Sequence, residues 1–382
     1  MSSMWNDISE ESMRKLERIA ENEMLTQEEI RENLDVTEKG KIRQSIQNCK
    51  YALEHDPYLQ GAICRNEMTC QIDIMKKVPW KRRGVQMTDT DMNNLSLYLE
   101  KNYGLTSDRV IAKAVDIVAN DNSFHPIIDL LESLIWDGTP RIRNMLTHFF
   151  GASDPEYSGE IMKMHMLAAI SRLYDPGKKY DIMLCLVGGQ GTGKSTFFKY
   201  LAIRDEWFTD DVKRLDDKRV YEYLQGHWIV EMSEMNAVAN ARSIEETKSF
   251  LSRQKDTYRI PYERRAEDRY RQCVFCGTSN DLAFLPFDRT GNRRFGPVRV
   301  CPEKAETTIY SNEKESREYI LQAWAETMEI YRSGDFSLTF SPDMEDYVKA
   351  LQKEFMPEDT QTGMIQAFLD RYEEDYVCST II

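Results

Sequence analysis

The sequence contains no apolar run near the roughly 20 residues that a membrane-spanning helix needs. Its first residues, MSSMWNDISEES, also lack the basic and then apolar pattern of a secretory signal, so we expect a cytoplasmic protein with no membrane partner. The eight cysteines show no paired framework, which suits a reducing compartment. With only 18 glycines and 12 prolines against 41% apolar residues, the composition is that of an ordinary globular protein.

A surplus of basic residues is absent as well. The chain has 64 acidic and 50 basic residues and a formal net charge of −14, which argues against a general nucleic-acid-binding coat. It does not exclude a local basic path, because the steering of a charged ligand depends on where the charge lies. At 382 residues the chain is long enough for about two or three domains.

Composition and hydrophobic periodicity divide the chain into four predicted segments. They are an acidic helical segment at 1–60, a mainly helical N-terminal or collar domain at 61–165, a region of alternating strands and helices at 166–312, and a helical, acidic region at 313–382. Alternating strands and helices predict a mainly parallel sheet that is covered on both faces.

A glycine-rich stretch, LCLVGGQGTGKSTFFKYL, joins an apolar predicted strand to an amphipathic predicted helix. Its spacing, Gly188-x4-Gly193-Lys194-Ser195, matches the Walker A pattern. Backbone N–H groups of such a loop and the following helix N-terminus bind phosphates, while the lysine reaches the β- and γ-phosphates and the serine hydroxyl binds Mg²⁺. The residues predicted to bind ATP are Gly188, Gly189, Gln190, Gly191, Thr192, Gly193, Lys194, Ser195 and Thr196.

Two glutamates follow the apolar predicted strand 228–230. The carboxyl end of a parallel strand is where a sheet presents its ligand groups, so Glu231 and Glu234 could share the metal and the attacking water. We favour Glu231 as the strand-end acid that binds Mg²⁺ together with Ser195. Which glutamate is the base stays open, and solvated helix-cap acids are the alternative.

Polar residues also follow the next predicted strand, CVFCG. Asn280 could orient the water between the γ-phosphate and the base, although a plain turn residue is the alternative. Beyond it, Arg293 and Arg294 follow a tight Thr-Gly-Asn turn that Arg289 precedes, and either could stabilise charge at the γ-phosphate of a neighbouring subunit. A surface ion pair is the expected role of whichever arginine is not used.

A basic stretch, RQKDTYRIPYERRAEDRYR at 253–271, lies between the glutamates and Asn280. It has an excess of three positive charges and interleaved tyrosines, which predicts a hairpin that stacks on bases and holds phosphates of DNA. A solvated loop that pairs its own charges is the alternative. The candidate DNA-binding residues are Arg253, Lys255, Tyr258, Arg259, Tyr262, Arg264 and Arg265.

In this order, the motifs GGQGTGKST, HWIVEMSEM, DTYRIPYERR, FCGTSND and TGNRRFGPV resemble superfamily 3 helicases. They are more similar still to the virulence-associated protein E family of phage and mobile-element replication proteins, over about residues 120–340. The resemblance implies an α/β P-loop NTPase core of AAA+ type with a parallel sheet. A mainly helical N-terminal domain would precede this core, and a small helical lid region would follow it.

The same resemblance implies a ring, usually a hexamer, with ATP sites between subunits and a pore hairpin that grips single-stranded DNA. The expected function is an ATP- and Mg²⁺-dependent DNA helicase or translocase, acting on single-stranded or forked DNA in replication of a phage, prophage or genomic island. A primase or other replication proteins are candidate partners. An ATP-assembled DNA-binding or origin-recognition ring without unwinding activity is the alternative. A P-loop small-molecule kinase is a third reading, which the arginine pair disfavours.

Two features depart from the family pattern. Glutamate stands where many P-loop enzymes have aspartate, which leaves the roles of the two acids undecided. Larger relatives often carry an N-terminal primase, and Asp89-x-Asp91 resembles a primase metal pair. However, these aspartates lie at a predicted helix start, where capping of the helix is the expected role.

Overall fold

A computed structural model of the protein describes residues 25–212, 215, 220–235, 244–258, 267–285 and 292–357. The chain divides into two units, which we call unit 1 and unit 2. Unit 1 comprises Met1–Asp137 and Gln225–His227, and unit 2 comprises Gly138–Leu224 and Trp228–Ile382. The bounds of the four segments that the sequence predicts stay a prediction.

Unit 1 combines helices with one antiparallel hairpin. Its helices are α1 (Gln27–Glu32), α2 (Ile46–His55), α3 (Asp89–Tyr103), α4 (Asp108–Asp121) and α5 (Pro126–Ser133), and its paired strands are β1 (Ile63–Asn66) and β2 (Gln71–Ile74). Apolar residues recur every three or four positions along α4, so one face of the helix is buried. Leu53 of α2, Leu99 of α3 and Val115 of α4 meet in one core cluster.

The start of α3 confirms the capping role predicted for Asp91. The Thr88 hydroxyl accepts a hydrogen bond from the Asp91 N–H (3.2 Å), and the Asp91 carboxylate accepts one from the Thr88 N–H (3.0 Å). This reciprocal pair is a capping box, which satisfies two N–H groups at a helix start. The helix ends at Gly104, whose φ of +66° closes the last turn.

Unit 2 is an α/β structure around a parallel sheet, as the sequence predicts. Its strands are β3 (Met183–Val187), β4 (Phe208–Thr209), β5 (Ile229–Met232), β6 (Lys255–Tyr258), β7 (Glu267–Tyr270), β8 (Val274–Ser279) and β9 (Phe295–Arg299). The five-stranded sheet has the order β4-β5-β8-β3-β9, and every neighbouring pair in it is parallel. Strands β6 and β7 form a separate antiparallel hairpin.

Helices of unit 2 lie between and after these strands. They are α6 (Met145–Phe150), α7 (Pro155–Tyr174), α8 (Lys194–Leu201), α9 (Val220–Leu224), α10 (Ile244–Ser252), α11 (Glu313–Ser333) and α12 (Pro342–Glu354). Single 3-10 turns occur at Ile142–Asn144, Asp205–Trp207, Ser233–Met235 and Pro302–Lys304. Across the described part of the chain, no helix combines the length and the apolar character that membrane crossing requires.

The central strands of unit 2 are buried on both faces, which explains their unbroken apolar sequence. Every residue of β3 and β8 is buried. On one face, Met183, Cys185 and Val187 share a core cluster with Phe250 and Phe355. The Trp228 and Trp324 rings, tilted by 31° with their centres 4.4 Å apart, form part of the remaining core, and their indole N–H groups donate to backbone carbonyls.

Candidate functional site

The candidate site lies where three parallel strands of the sheet end. The glycine-rich loop follows β3, Glu231 belongs to β5, and Asn280 directly follows β8. Strand β8 lies between β5 and β3, so the three polar groups meet at the carboxyl edge of the sheet. This edge is where open α/β sheets bind their ligands.

Glycines shape the loop between β3 and α8. Gly191 and Gly193 have φ values of +78° and +87°, a left-handed conformation that favours glycine. A Cβ on Gly193 would lie 2.4 Å from Ile309 Cγ2, whereas the space around Gly189 and Gly191 is open. Among the described residues, the backbone N–H groups of 189–193 donate no hydrogen bond to protein. A concave backbone with unused N–H groups fits an anion.

Lys194 connects this loop to Asn280. Its ammonium group donates hydrogen bonds to the carbonyls of Gly188 and Gly189 (both 2.7 Å) and to Asn280 Oδ1 (3.1 Å). The side chain is only 7% exposed, and burial lowers its pKa while the charge of Glu231 opposes that shift. The structure therefore brings the predicted phosphate-binding lysine and the predicted water-orienting amide into direct contact.

Glu231 is fully buried beside the first turn of α8. Its Oε1 accepts hydrogen bonds from the hydroxyls of Ser195 and Thr278, both at 2.7 Å. Burial raises the pKa of the carboxyl group, and these two hydrogen bonds oppose the shift. Oε2 is buried and accepts no hydrogen bond from the described residues. A buried carboxylate with an unused oxygen next to a serine hydroxyl has the chemistry of a Mg²⁺ site.

Glu234 lies three residues beyond, on the 3-10 turn that follows β5. Its side chain is exposed, and its N–H donates to the Thr278 hydroxyl at 3.3 Å. Its φ of +51° is a left-handed conformation that costs a non-glycine residue about 1–3 kcal/mol. The Thr278 hydroxyl thus donates to the Glu231 carboxylate and accepts from the Glu234 N–H, and it holds the strained turn next to Glu231.

Three further residues at this edge were not predicted from the sequence. Thr278 reads as one more residue of a buried strand, and Asp210 follows a strand of only two residues, too short for a periodic pattern. The charge of Asp210 contributes to the raised pKa of Glu231, so this exposed aspartate adds a carboxylate beside the site. Tyr310 lies 114 residues from Thr196, yet the two hydroxyls are 3.1 Å apart. The Tyr310 ring is 57% exposed.

The two candidate arginines lie at the opposite, amino edge of the sheet. The Met183 N–H at the start of β3 donates to the Arg294 carbonyl (2.7 Å), and Arg294 Nε donates to the Ser252 hydroxyl (2.8 Å) and approaches Asp181 Oδ2 (3.3 Å). Arg293 is exposed. The length of β3 separates both residues from the glycine loop, a span of roughly 15–20 Å. The structure does not bring either arginine to Lys194 of the same chain.

The described ends of the basic stretch form the antiparallel strands β6 and β7, with Lys255 paired opposite Tyr270. Its described basic residues have partners within the chain: Lys255 Nζ contacts Asp268 Oδ2 at 2.5 Å, and Arg253 donates to the Tyr221 hydroxyl at 2.7 Å. The predicted residues Arg259, Tyr262, Arg264 and Arg265 lie outside the described residues, as does the side chain of Tyr258.

The base of this hairpin is held by a buried ion pair. Arg271 donates to both oxygens of Asp256, at 2.6 and 3.0 Å, and to the Phe250 carbonyl at 2.5 Å. Its guanidinium also lies 4.5 Å from the centre of the Phe250 ring. Because Arg271 is 4% exposed, this member of the basic stretch serves the fold and is not available to DNA.

Comparison with known proteins agrees with the resemblance seen in the motifs. The virulence-associated protein E-like domain matches residues 131–357. Two solved structures are similar. The A-form apo structure of the NrS-1 C-terminal region 305–718 is 14% identical, and the match covers 76% of this chain and 71% of that chain with a TM-score of 0.41. The A-form apo structure of the NrS-1 C-terminal region is also 14% identical, and the match covers 83% of this chain and 80% of that chain with a TM-score of 0.45. No curated protein matches the sequence.

Proposed function

The chain belongs to the virulence-associated protein E-like family, and on this premise we propose that it is an ATP-dependent DNA helicase or translocase acting in replication. One observation carries the proposal: Lys194 contacts Asn280, and Ser195 contacts Glu231, at the carboxyl edge of one parallel sheet. In P-loop enzymes a lysine binds the phosphates, a serine or threonine and an acid hold Mg²⁺, and a polar residue orients the attacking water, and these four residues can take those roles.

We assign phosphate binding to the glycine loop and Lys194. The ammonium group now donates to two loop carbonyls, and phosphate oxygens would replace them as stronger, charged acceptors. The unused N–H groups of 189–193 and the start of α8 add to the positive potential. Asn280 remains beside the ammonium group and would hold the attacking water.

We assign the metal position to Ser195 and Glu231, whose buried Oε2 has no partner among the described residues. When bound there with ATP, Mg²⁺ supplies positive charge that stabilises the phosphates as charge develops during transfer. Asp210 lies close enough to this position to add to its negative potential. Glu231 already accepts two hydrogen bonds, so we assign the proton-accepting role to the exposed Glu234.

Tyr310 is assigned to the nucleoside side of the same site. Its hydroxyl is hydrogen-bonded to Thr196, which follows the Lys194-Ser195 pair, and the loop that carries it packs against Gly193. An exposed aromatic ring at this place offers a stacking surface for the base or the ribose.

A second copy of the chain would complete the ATP site. Each arginine candidate lies a strand length away from the loop of its own chain, so neither reaches its own γ-phosphate. Arg294 is already paired with Asp181 and Ser252, whereas Arg293 is exposed. We therefore propose Arg293 as the residue that approaches a neighbouring subunit's site, in a ring that is a hexamer in the family resemblance.

The experiment that tests the proposal is ATP hydrolysis with and without single-stranded DNA, together with unwinding of a forked duplex. Lys194→Ala should lower the hydrolysis rate by at least about 10²-fold, because a charged group that stabilises the transition state is lost. Lys199→Ala, at a partly exposed lysine of the same helix that pairs with Asp205, is the matched control. Unchanged hydrolysis and unwinding in Lys194→Ala would overturn the proposal. ATP-dependent assembly on DNA without unwinding would favour the origin-binding ring instead.

A further inference from the structure

Unit 1 carries a second strongly basic segment, the loop at 75–84, which we call the basic loop. Its sequence, MKKVPWKRRG, has five basic residues, and no acidic residue occurs between Asp73 and Asp89. We propose that the basic loop binds the phosphodiester backbone of nucleic acid, at a site that neither the ATP site nor the β6–β7 hairpin includes. This proposal does not depend on ATP hydrolysis.

The two ends of the basic loop are joined in the structure. The Ile74 N–H donates to the Val85 carbonyl (2.9 Å), and the Met87 N–H donates to the Ile72 carbonyl (2.8 Å). The chain therefore returns alongside β2 after the loop, with Asp73 bridged to Gln86. A loop closed in this way presents its side chains from a defined base.

Arg82 and Trp80 hold the inside of the loop. Arg82 donates to the carbonyls of Ile74 (3.0 Å), Val85 (2.9 Å) and Gln86 (3.2 Å), and its Nε lies 3.4 Å from Asp91. The Trp80 indole donates to the same aspartate at 2.9 Å. Arg82, one of the five cations, and the buried Asp91 carboxylate are therefore engaged with each other and with the chain, so neither adds charge to the surface of the loop.

Three cations remain at the surface of the loop: Lys77, Lys81 and Arg83 are exposed and make no ion pair with described residues. Lys76 is partly buried and donates to the Gln60 carbonyl at 2.7 Å. Asp73 is buried and hydrogen-bonded to Asn66 at 3.0 Å, and burial raises the pKa of its carboxyl group. The nearest exposed acid along the chain is Asp89, on the first turn of α3.

A preformed group of like charges is costly to maintain unless an anion is bound, and binding to it requires little ordering of the loop. Phosphates of nucleic acid are the anions that fit these cations. Three cations spread over seven residues can contact several phosphates of one backbone, whereas a single carboxylate would contact only one of them. Each phosphate contact releases a bound counterion, so the number of contacts appears in the salt dependence of the affinity.

The test is the affinity of the full chain for labelled single-stranded and duplex DNA without nucleotide, measured by fluorescence anisotropy at several salt concentrations. The variant is Lys77→Ala, Lys81→Ala and Arg83→Ala combined, which leaves Arg82 and Trp80 intact. The control carries Lys101→Ala, Arg109→Ala and Lys113→Ala, three exposed residues on α3 and α4 with the same total charge change.

We expect the loop variant to bind DNA about 10–100-fold more weakly at moderate salt, with a salt slope shallower by about 2–3. The control should keep both the affinity and the slope. Equal losses in the two variants, an unchanged slope in the loop variant, or preferential binding of a polyglutamate peptide would overturn the proposal. Because DNA-independent ATP hydrolysis should be unaffected in the loop variant, failure of this proposal is distinguishable from failure of the ATPase proposal.

Discussion

Replacing Glu231 by glutamine should make the protein more stable and less active. The glutamine Oε1 can still accept the hydrogen bonds from Ser195 and Thr278, so the shape of the site is kept. What changes is the charge of a fully buried group whose second oxygen has no partner among the described residues. A functional metal ligand is expected to be unfavourable for the fold, whereas a structural residue is not.

The structure gives the sign of the effect, and the general cost of burying a charged group gives its order of magnitude. The glutamine NH2 would take the unpartnered position of Oε2, so only the penalty on the buried charge is removed, and Glu231→Gln should raise the free energy of unfolding by about 1 kcal/mol. The melting temperature should rise by about 2–4 °C per kcal/mol. Because burial raises the pKa of Glu231, the wild type is spared this cost below the ordinary carboxyl pKa and incurs it as pH rises through the folded-state pKa. The difference in the free energy of unfolding between Glu231→Gln and the wild type should therefore be absent at acidic pH and increase as the pH rises.

The assay is urea unfolding over a pH series without magnesium, beside ATP hydrolysis with it. Hydrolysis should fall by about 10²–10³-fold in Glu231→Gln. Glu303→Gln, an exposed carboxylate, is the matched control and should change neither quantity. A Glu231→Gln protein that is less stable than the wild type at neutral pH and hydrolyses ATP at the wild-type rate would refute the reasoning and make Glu231 a structural residue.

Three further outcomes are expected. Arg271→Met should lower the free energy of unfolding by about 3–5 kcal/mol in urea, because it strands a buried carboxylate, whereas Lys255→Met at an exposed, solvent-screened pair should leave the unfolding midpoint nearly unchanged. Tyr310→Ala should weaken binding of a fluorescent ATP analogue by about 5–100-fold, the value of one stacked base. Inactive Arg293→Ala and Lys194→Ala proteins, when mixed, should regain about a quarter of the wild-type hydrolysis rate through mixed interfaces; no recovery would contradict the shared site.

The sequence predicts the ends of β5 and β8 because each of these two ends is marked twice. An apolar run ends there, and a polar residue of the required type follows, as at Glu231 and Asn280. Tyr310 and Thr196 could not be paired in this way, since their contact joins segments 114 residues apart and no periodic pattern links them. Thr278 is hidden for a different reason: its burial looks like packing, and only the geometry shows its hydroxyl between two glutamates.

Local composition also cannot separate a structural cation from a surface one. Arg271 and Lys255 belong to the same basic stretch, yet one is buried against Asp256 and the other is exposed. Arg82 and Arg83 are adjacent, and only the first donates to backbone carbonyls of the segments that flank the basic loop. The difference depends on which carbonyls and carboxylates lie within reach, and these come from other parts of the chain.

Strand β8 lies between the proposed ATP site and the base of the β6–β7 hairpin. Its carboxyl end leads to Asn280 beside Lys194, and its amino end leads to the hairpin base, where the Cys273 carbonyl accepts a hydrogen bond from Arg172 at 2.6 Å. Every residue of the strand is buried, and it pairs with β3 on one side and β5 on the other, so the strand is held along both edges. Arg294 is bonded to Ser252 at that same amino edge, so a neighbour's nucleotide site and the hairpin would meet there.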